Sequence, residues 1–378
     1  MDKKYFVYLS AILLVSMISV DCVARRYPQS SREEANLQSL IKITDNAELK
    51  FCNPFGGDNG RNLFFAVSEG RNRSNIYFKE NPVSAAMSPK TDGRNAYKYP
   101  SFCSSKNLLV YSGYQDGADV NDIFMMDVSR ATAIRRLTNT PNEAEFHPCI
   151  SADGSTIVYE RCRDERDFEN AQIWCQDLKT ESQTLLCQGH SPSFSHDGKY
   201  IVFVRFTPDG NNTSLVIMNT NGKNQVELTD AKLGMVEMPR FSPNDRQIVF
   251  QCQQKDKDDY DIYVINRDGT GLTQLTFNES YDGEPYWSND GYIYFASDRG
   301  GGRNDFQIWR FKYGEALSSG GTKSYVSSSS GVYHTVSAGE TITDIARKYG
   351  VTARDIVKWN NLTTMTLTPG MRIMVSEQ

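Results

Sequence analysis

Short apolar runs recur along most of this chain at a near-constant interval. Six apolar triplets stand in equivalent places: LFF from Leu63, LVY from Leu109, IVY from Ile157, IVF from Ile201, IVF from Ile248 and IYF from Ile293. A proline precedes each, at Pro54, Pro100, Pro148, Pro192, Pro239 and Pro285, with successive spacings of 46, 48, 44, 47 and 46 residues. Between proline and triplet lies a polar turn such as SADG, SHDG or SPND, and a second run follows (NIYF, DIFMMD, QIWCQD, LVIMN, DIYVIN, QIWRF). The runs are short, β-branched and aromatic, which predicts strands rather than helices. Asp, Asn and Gly tolerate the backbone angles of tight hairpins.

A repeat of about 46 residues carrying four short strands has the dimensions of one propeller blade, and six copies make a ring. Each repeated proline is expected at the start of an innermost strand, where a missing N–H does least harm. Four copies end in a fourth run (IRRLTNT, QTLLCQG, QVELTDA, LTQLTFN), and none follows QIWRFKYG. The segment SLIKITDN, Ser39 to Asn46, reads like those fourth runs. It is therefore expected to supply the outer strand of the last blade and close the ring, removing two open edges.

Residues 39–313 resemble the six-bladed propeller of the TolB family, on the pieces PSFSHDGKYIVF, MPRFSPNDRQIVF, DIYVINRDGTGLTQLTF and GEPYWSNDGYIYFASDRGG. The resemblance is specific for the fold and says little about function.

The pattern changes after Tyr313. Residues 314–331 are a Ser/Gly-rich tether, with seven Ser and four Gly. Tyr333 to Val336 then alternates like a strand, Thr341 and Asp344 form a capping box, Thr352 and Asp355 form a second, and TPG turns into a last strand, MRIMV. The predicted order is β-α-α-β. On VSAGETITDIARKYGV, WNNL and LTPGMRIMV, residues 332–376 resemble a LysM domain. That resemblance implies binding of N-acetylglucosamine-containing glycans, peptidoglycan or a chitin-like polymer. It places the groove at Gly339, Glu340, Thr341 and Ile342 together with Asn360, Asn361, Leu362 and Thr363. Backbone and amide hydrogen bonds with an apolar shelf suit a neutral N-acetylated sugar. The expected fold class is thus mainly β, a six-bladed β-propeller with a small C-terminal α+β unit.

The first residues, MDKKYFVYLSAILLVSMISVDCVA, have a basic start, an apolar stretch from about Phe6 to Val20 and small residues near a cleavage point. They read as a secretory signal peptide over 1–24, followed by a linker over 25–38. The apolar run is shorter than the roughly 20 residues a span needs, so the mature protein is expected to have no transmembrane segment. A lipoprotein acylated at Cys22 is the other reading. Both place the protein in the periplasm or cell envelope. Export permits disulfides. Cys175 and Cys187 flank the turn LKTESQ symmetrically and are candidates to face each other across two strands, with buried free thiols as the alternative.

The net charge is -5 and there is no basic block, which argues against a nucleic-acid partner. No Cys-x-x-Cys pair occurs, and the four histidines, His147, His190, His196 and His334, lack metal-ligand spacing, so neither a metal nor a cofactor is expected. There is no G-x-S-x-G hydrolase signature. Tyr99, His147, His190, Glu237 and Glu284 lie beside the repeated prolines, where they are expected to face the central channel. They could grip a ligand or only line a solvated wall. The pattern as a whole points to an exported non-catalytic adaptor, its C-terminal domain binding peptidoglycan and its propeller docking an envelope protein. A glycan-active enzyme with a catalytic channel is the alternative.

Overall fold

The computed structural model describes residues 40–313, apart from 47, 58–60, 70–72, 94, 115–119, 131–133, 164–167, 209 and 256. It also describes 331–377, apart from 338–339, 350, 354–355, 358–359 and 361–371. The signal peptide, Cys22, the linker over 25–38 and the tether over 314–330 lie outside the described residues.

Residues 40–313 form six four-stranded antiparallel sheets. Blade 1 contains Lys50–Gly56, Leu63–Ser68, Ser74–Lys79 and Ser88–Pro89. Blade 4, to take a second example, contains His190–Phe194, Tyr200–Phe206, Thr213–Asn219 and Val226–Glu227. The innermost strands touch in sequence around the ring, and that of blade 6 touches that of blade 1. Every apolar triplet is a second strand, buried on both faces between neighbouring blades. Blade 6 is completed from the chain's start: Ile41–Lys42 pairs with Gln307–Lys312, Ile41 opposite Arg310 and Lys42 opposite Trp309.

Two repeated details of sequence have structural causes. The serine of the polar turn is its hub. Ser195 Oγ accepts from the N–H groups of Lys199 (3.2 Å) and Tyr200 (2.9 Å) and donates to Asp197 (2.7 Å). Ser151 does the same with Ser155, Thr156 and Asp153. The turn needs a left-handed residue, which is Gly198 (φ +68°) in blade 4 and Asp245 (φ +56°) in blade 5. Asp245 offsets the strain by accepting from His196 N–H (2.8 Å) and Asp197 N–H (2.8 Å) of the neighbouring blade.

Where a fourth run carries Leu-Thr or Ile-Thr, the threonine closes the sheet. Thr138, Thr229 and Thr276 accept from the third-strand N–H groups of Ile123 (2.8 Å), Leu215 (2.9 Å) and Ile262 (2.8 Å). Thr44 performs this act for blade 6, accepting from Ile308 N–H at 2.9 Å.

Two expectations are corrected. The repeated prolines do not start the innermost strands but sit inside them, each at a register shift such as Cys52/Phe55 or Phe146/Cys149. A bulge leaves one residue out of the ladder, so the missing proline N–H costs nothing there. Cys175 and Cys187 do not face each other: Cys175 stands opposite Thr184 and Cys187 opposite Ile173. The cysteines among the described residues are free thiols, most of them buried.

Residues 331–377 are a separate small unit. Gly331–Thr335 pairs antiparallel with Arg372–Glu377, and a helix spans Ile342–Tyr349. Its start carries the expected capping box: Asp344 N–H donates to Thr341 Oγ1 (3.2 Å) and Thr341 N–H to Asp344 Oδ2 (3.3 Å). Further on, Ile356 N–H bonds Thr352 C=O and Asn360 N–H bonds Ile356 C=O, the spacing of helical turns. Val336, Ile342, Ile345, Ala346, Ile356, Ile373 and Val375 make one buried core. Asp355 of the second expected capping box and Gly350 lie outside the described residues.

Candidate functional site

The residue before each repeated proline is left-handed: Asn53, Tyr99, His147, Ser191, Met238 and Glu284, with φ between 47° and 54°. Non-glycine residues rarely adopt this conformation, at a cost of order 1 kcal/mol each, and such strain gathers at functional sites. Here it occurs once per blade, at the centre of the ring. Four of these N–H groups are held by side chains from the preceding blade. Asn53 N–H donates to Glu284 (2.6 Å), Tyr99 N–H to Asn53 (3.3 Å), Ser191 N–H to Glu160 (2.7 Å) and Glu284 N–H to Gln251 (2.6 Å). The blades are thus laced together at the axis by polar contacts.

A cavity opens onto this ring, lined by Tyr99, His147, Phe168, His190, Ser191, Glu237, Met238, Gln251, Tyr281 and Glu284. All five residues picked from the sequence are on its wall. Its free space is about 30 Å³, room for about two waters. His147 and His190 are buried, and the Tyr99 and His147 rings stack with centroids 4.0 Å apart. His147 Nδ1 lies 3.0 Å from Glu160 Oε2, an ion-pair distance, but without the alignment of a hydrogen bond. Gln251 donates to Glu237 Oε2 at 3.1 Å.

The environment splits the ionisable groups. Burial drives Glu237 up to about 7, with Glu160 and Glu284 adding like-charge repulsion. Glu284 is raised for the same reason, burial. Burial also raises Glu160, but the neighbouring histidines and the Ser191 N–H overcome it, leaving its carboxyl below the ordinary value. Burial pushes His190 down to about 4, against the pull of Glu160. At neutral pH His190 is therefore an uncharged imidazole.

Because folded Glu237 binds its proton more tightly than the unfolded chain does, its contribution to stability is greatest in acid. It falls as pH rises from the ordinary value of 4.5 to about 7, and is flat above. The expected result is that Glu237→Gln matches the parent in urea melts at pH 5 and exceeds it at pH 8, by up to about 3 kcal/mol. An unchanged gap between the two pH values would show that Glu237 does not titrate in this range. Glu145 and Asp261 are also raised to about 7 by burial, so the parent-minus-variant difference, not the parent's own curve, carries the test.

Glu160 and Gln251, which hold the ring from the second strands, are not apparent from the proline positions. Their signal lies elsewhere: the place after each triplet reads Ala66, Ser112, Glu160, Val204, Gln251 and Ala296, and a charged or amide residue there interrupts a small or apolar column.

In the C-terminal unit, Glu340 is tied inward. Its Oε2 meets His334 Nε2 at 2.7 Å and accepts Ser337 N–H at 2.7 Å, while His334 Nδ1 meets the Tyr349 hydroxyl at 3.1 Å. Thr341 caps the helix with an exposed side chain, Ile342 is buried in the core, and Asn360 donates to Ile356 C=O. Gly339, Asn361, Leu362 and Thr363 lie outside the described residues.

Comparison with known proteins agrees with the geometry of the ring. A family model described as the TolB beta propeller domain matches residues 188–371. The propeller is TolB-like. The Tol-Pal system protein TolB of Francisella tularensis subsp. mediasiatica (strain FSC147) is 28% identical over 114 residues, 30% of this chain and 26% of that protein. The match thus spans about a quarter of the curated relative's length. The crystal structure of TolB from Acinetobacter baumannii superposes with a TM-score of 0.54 at 15% identity, covering 68% of this chain and 66% of that one. A putative TolB from Agrobacterium tumefaciens gives 0.54 at 17%, covering 73% and 97%. An oligogalacturonate lyase in complex with manganese gives 0.50 at 15%, covering 79% and 97%. At these identities the structures share the fold with the TolB-like propeller and nothing further. Among the described residues, no group of three or more His, Cys, Asp or Glu is arranged to hold a metal ion, and no helix is long and apolar enough to cross a membrane.

Proposed function

We propose that the protein is an exported, non-catalytic adaptor of the cell envelope. Its C-terminal unit, residues 332–376, is a LysM domain that binds peptidoglycan, and its TolB-like propeller docks a protein partner. The observation that carries the first half is the small unit itself: end strands paired to each other, a capped helix between them, and one apolar core. The second half is supported by the curated relatives, which are Tol-Pal system proteins.

The enzyme reading has one observation in its favour. Glu160 and Glu237 are pushed in opposite directions, the pattern of an acid and base pair. The cavity weighs against it for a glycan, since about 30 Å³ holds water-sized groups and no sugar ring.

The test is co-sedimentation with purified insoluble peptidoglycan. The mature chain is expected in the pellet, and the chain ending at Tyr313 in the supernatant. Equal sedimentation of both would place wall binding in the propeller. Release of soluble sugar or peptide fragments during the incubation would favour the enzyme.

A further inference from the structure

We infer that the axial cavity of the propeller is a seat for one primary ammonium group, R–NH3+, gripped by His190, Glu237 and Glu284. This deepens the docking proposal and rests on it only for the source of the amine, a lysine side chain or chain terminus of the partner.

The first argument is an unfilled set of acceptors. His190 Nε2, His147 Nε2 and Glu160 Oε1 are buried without a hydrogen-bond partner, and both histidines line the cavity. His190 is 4% exposed and His147 3%. Buried polar atoms are ordinarily satisfied, so two orphaned imidazole nitrogens on wall residues of one small space, with Glu160 behind His147, mark a missing donor. The tautomer of His190 follows from its neighbour. Ser191 Oγ donates to Met238 Sδ at 3.8 Å, which leaves His190 Nδ1, 3.3 Å away, to donate to that oxygen. The lone pair of Nε2 is then the free one. A carboxylate oxygen can only accept.

The second argument is charge. Glu237 and Glu284 lie on the wall and Glu160 stands beside His147, whereas the ten lining residues include no lysine or arginine. Lys98 and Arg240 act electrostatically on Glu284 but are not among the residues lining this cavity. The wall favours a cation.

The third argument is size and geometry. About 30 Å³ suits an ammonium, close to water in size, better than a guanidinium or a quaternary amine. Three N–H donors match several acceptors spread around one point, and charge-assisted bonds are the strong ones. A divalent ion fits less well, because the described residues offer no metal-holding group of three.

The experiment is long-range 1H–15N NMR of the imidazoles in the mature chain at pH 8. The chain has four histidines, so His196 and His334 serve as internal references. Methylammonium chloride is expected to shift His190 and His147 saturably, with the references still. Sodium chloride and tetramethylammonium chloride at the same ionic strength should leave all four unchanged. Glu237→Gln, which keeps shape and the Gln251 contact, should weaken methylammonium at least tenfold. No saturable shift, or equal shifts with tetramethylammonium, overturns the proposal and means the cavity holds water. An acetylated and amidated Gly-Gly-Lys-Gly-Gly peptide separates the sources. If it shifts the same two histidines, a partner's lysine can enter. If methylammonium binds and the peptide does not, the seat stands for a free amine and the docking proposal loses this anchor.

Discussion

Without residues 40–46, the propeller loses its single cooperative unfolding transition and aggregates. The segment does more than pair two residues with the last blade. Ile43 is buried, its N–H bonds Ile308 C=O at 2.7 Å, and its own carbonyl accepts from the buried Lys79 ammonium at 2.7 Å. Thr44 donates to Gln307 at 3.0 Å and accepts from Ile308 N–H. Burying an isoleucine is worth about 2–3 kcal/mol, and each buried polar group left without its partner costs about 1–3 kcal/mol. Summed over these contacts the loss is of the order of a domain's whole stability, about 5–15 kcal/mol. The strand Gln307–Lys312 also becomes an open edge. Calorimetry and gel filtration provide the check. Thr44→Val is the graded control, expected to keep one transition and lose about 1–3 kcal/mol. A truncated chain that melts within about 2 °C of the parent would show that blade 6 is stable with three strands.

Glu160→Ala is expected to be the most damaging single substitution at the axis, at about 3–5 kcal/mol, the cost of removing one member of a buried pair. It strips His147 of its carboxylate and Ser191 N–H of its acceptor at once. Glu160→Gln keeps an acceptor for Ser191 and should cost less. The pH dependence has the opposite sign to that of Glu237. The Glu160 carboxyl sits below its ordinary value of 4.5 in the fold, so its contribution is full above that pH and fades as pH falls through the folded value. Urea midpoints of parent and Glu160→Gln should therefore converge in acid and separate at neutrality. A gap that persists at pH 3 would assign the loss to packing rather than charge.

The blades were legible because their information is local. Ile157-Val158-Tyr159 and Ile248-Val249-Phe250 announce second strands by composition, and the serine-led turn fixes the hairpin. The closing segment was legible because Ser39 to Asn46 reads like the fourth runs and none follows QIWRFKYG. The axis was only half legible. His147 and Glu284 stand directly before a proline, a position the period makes visible. Glu160 and Gln251 sit inside apolar runs, and what they do depends on a backbone N–H in the next blade, some 30 residues on. The proline bulges were misplaced for a related reason: a strand start and a left-handed kink within a strand suit proline equally well in one dimension. Cys175 and Cys187 were misplaced because the hairpin turns earlier than LKTESQ: Gln176 already stands opposite Gln183, so Cys175 meets Thr184.

The clasp between Thr44 and Ile308 joins residues 264 apart in the chain. A ribosome that adds about 5–20 residues per second needs roughly 15–50 s to cover that distance. Throughout this time the earliest strand has no partner, however well the intervening blades have stacked. Folding of the ring is therefore gated by the arrival of its last strand, and a chain interrupted before residue 307 carries two raw edges and nothing to seal them.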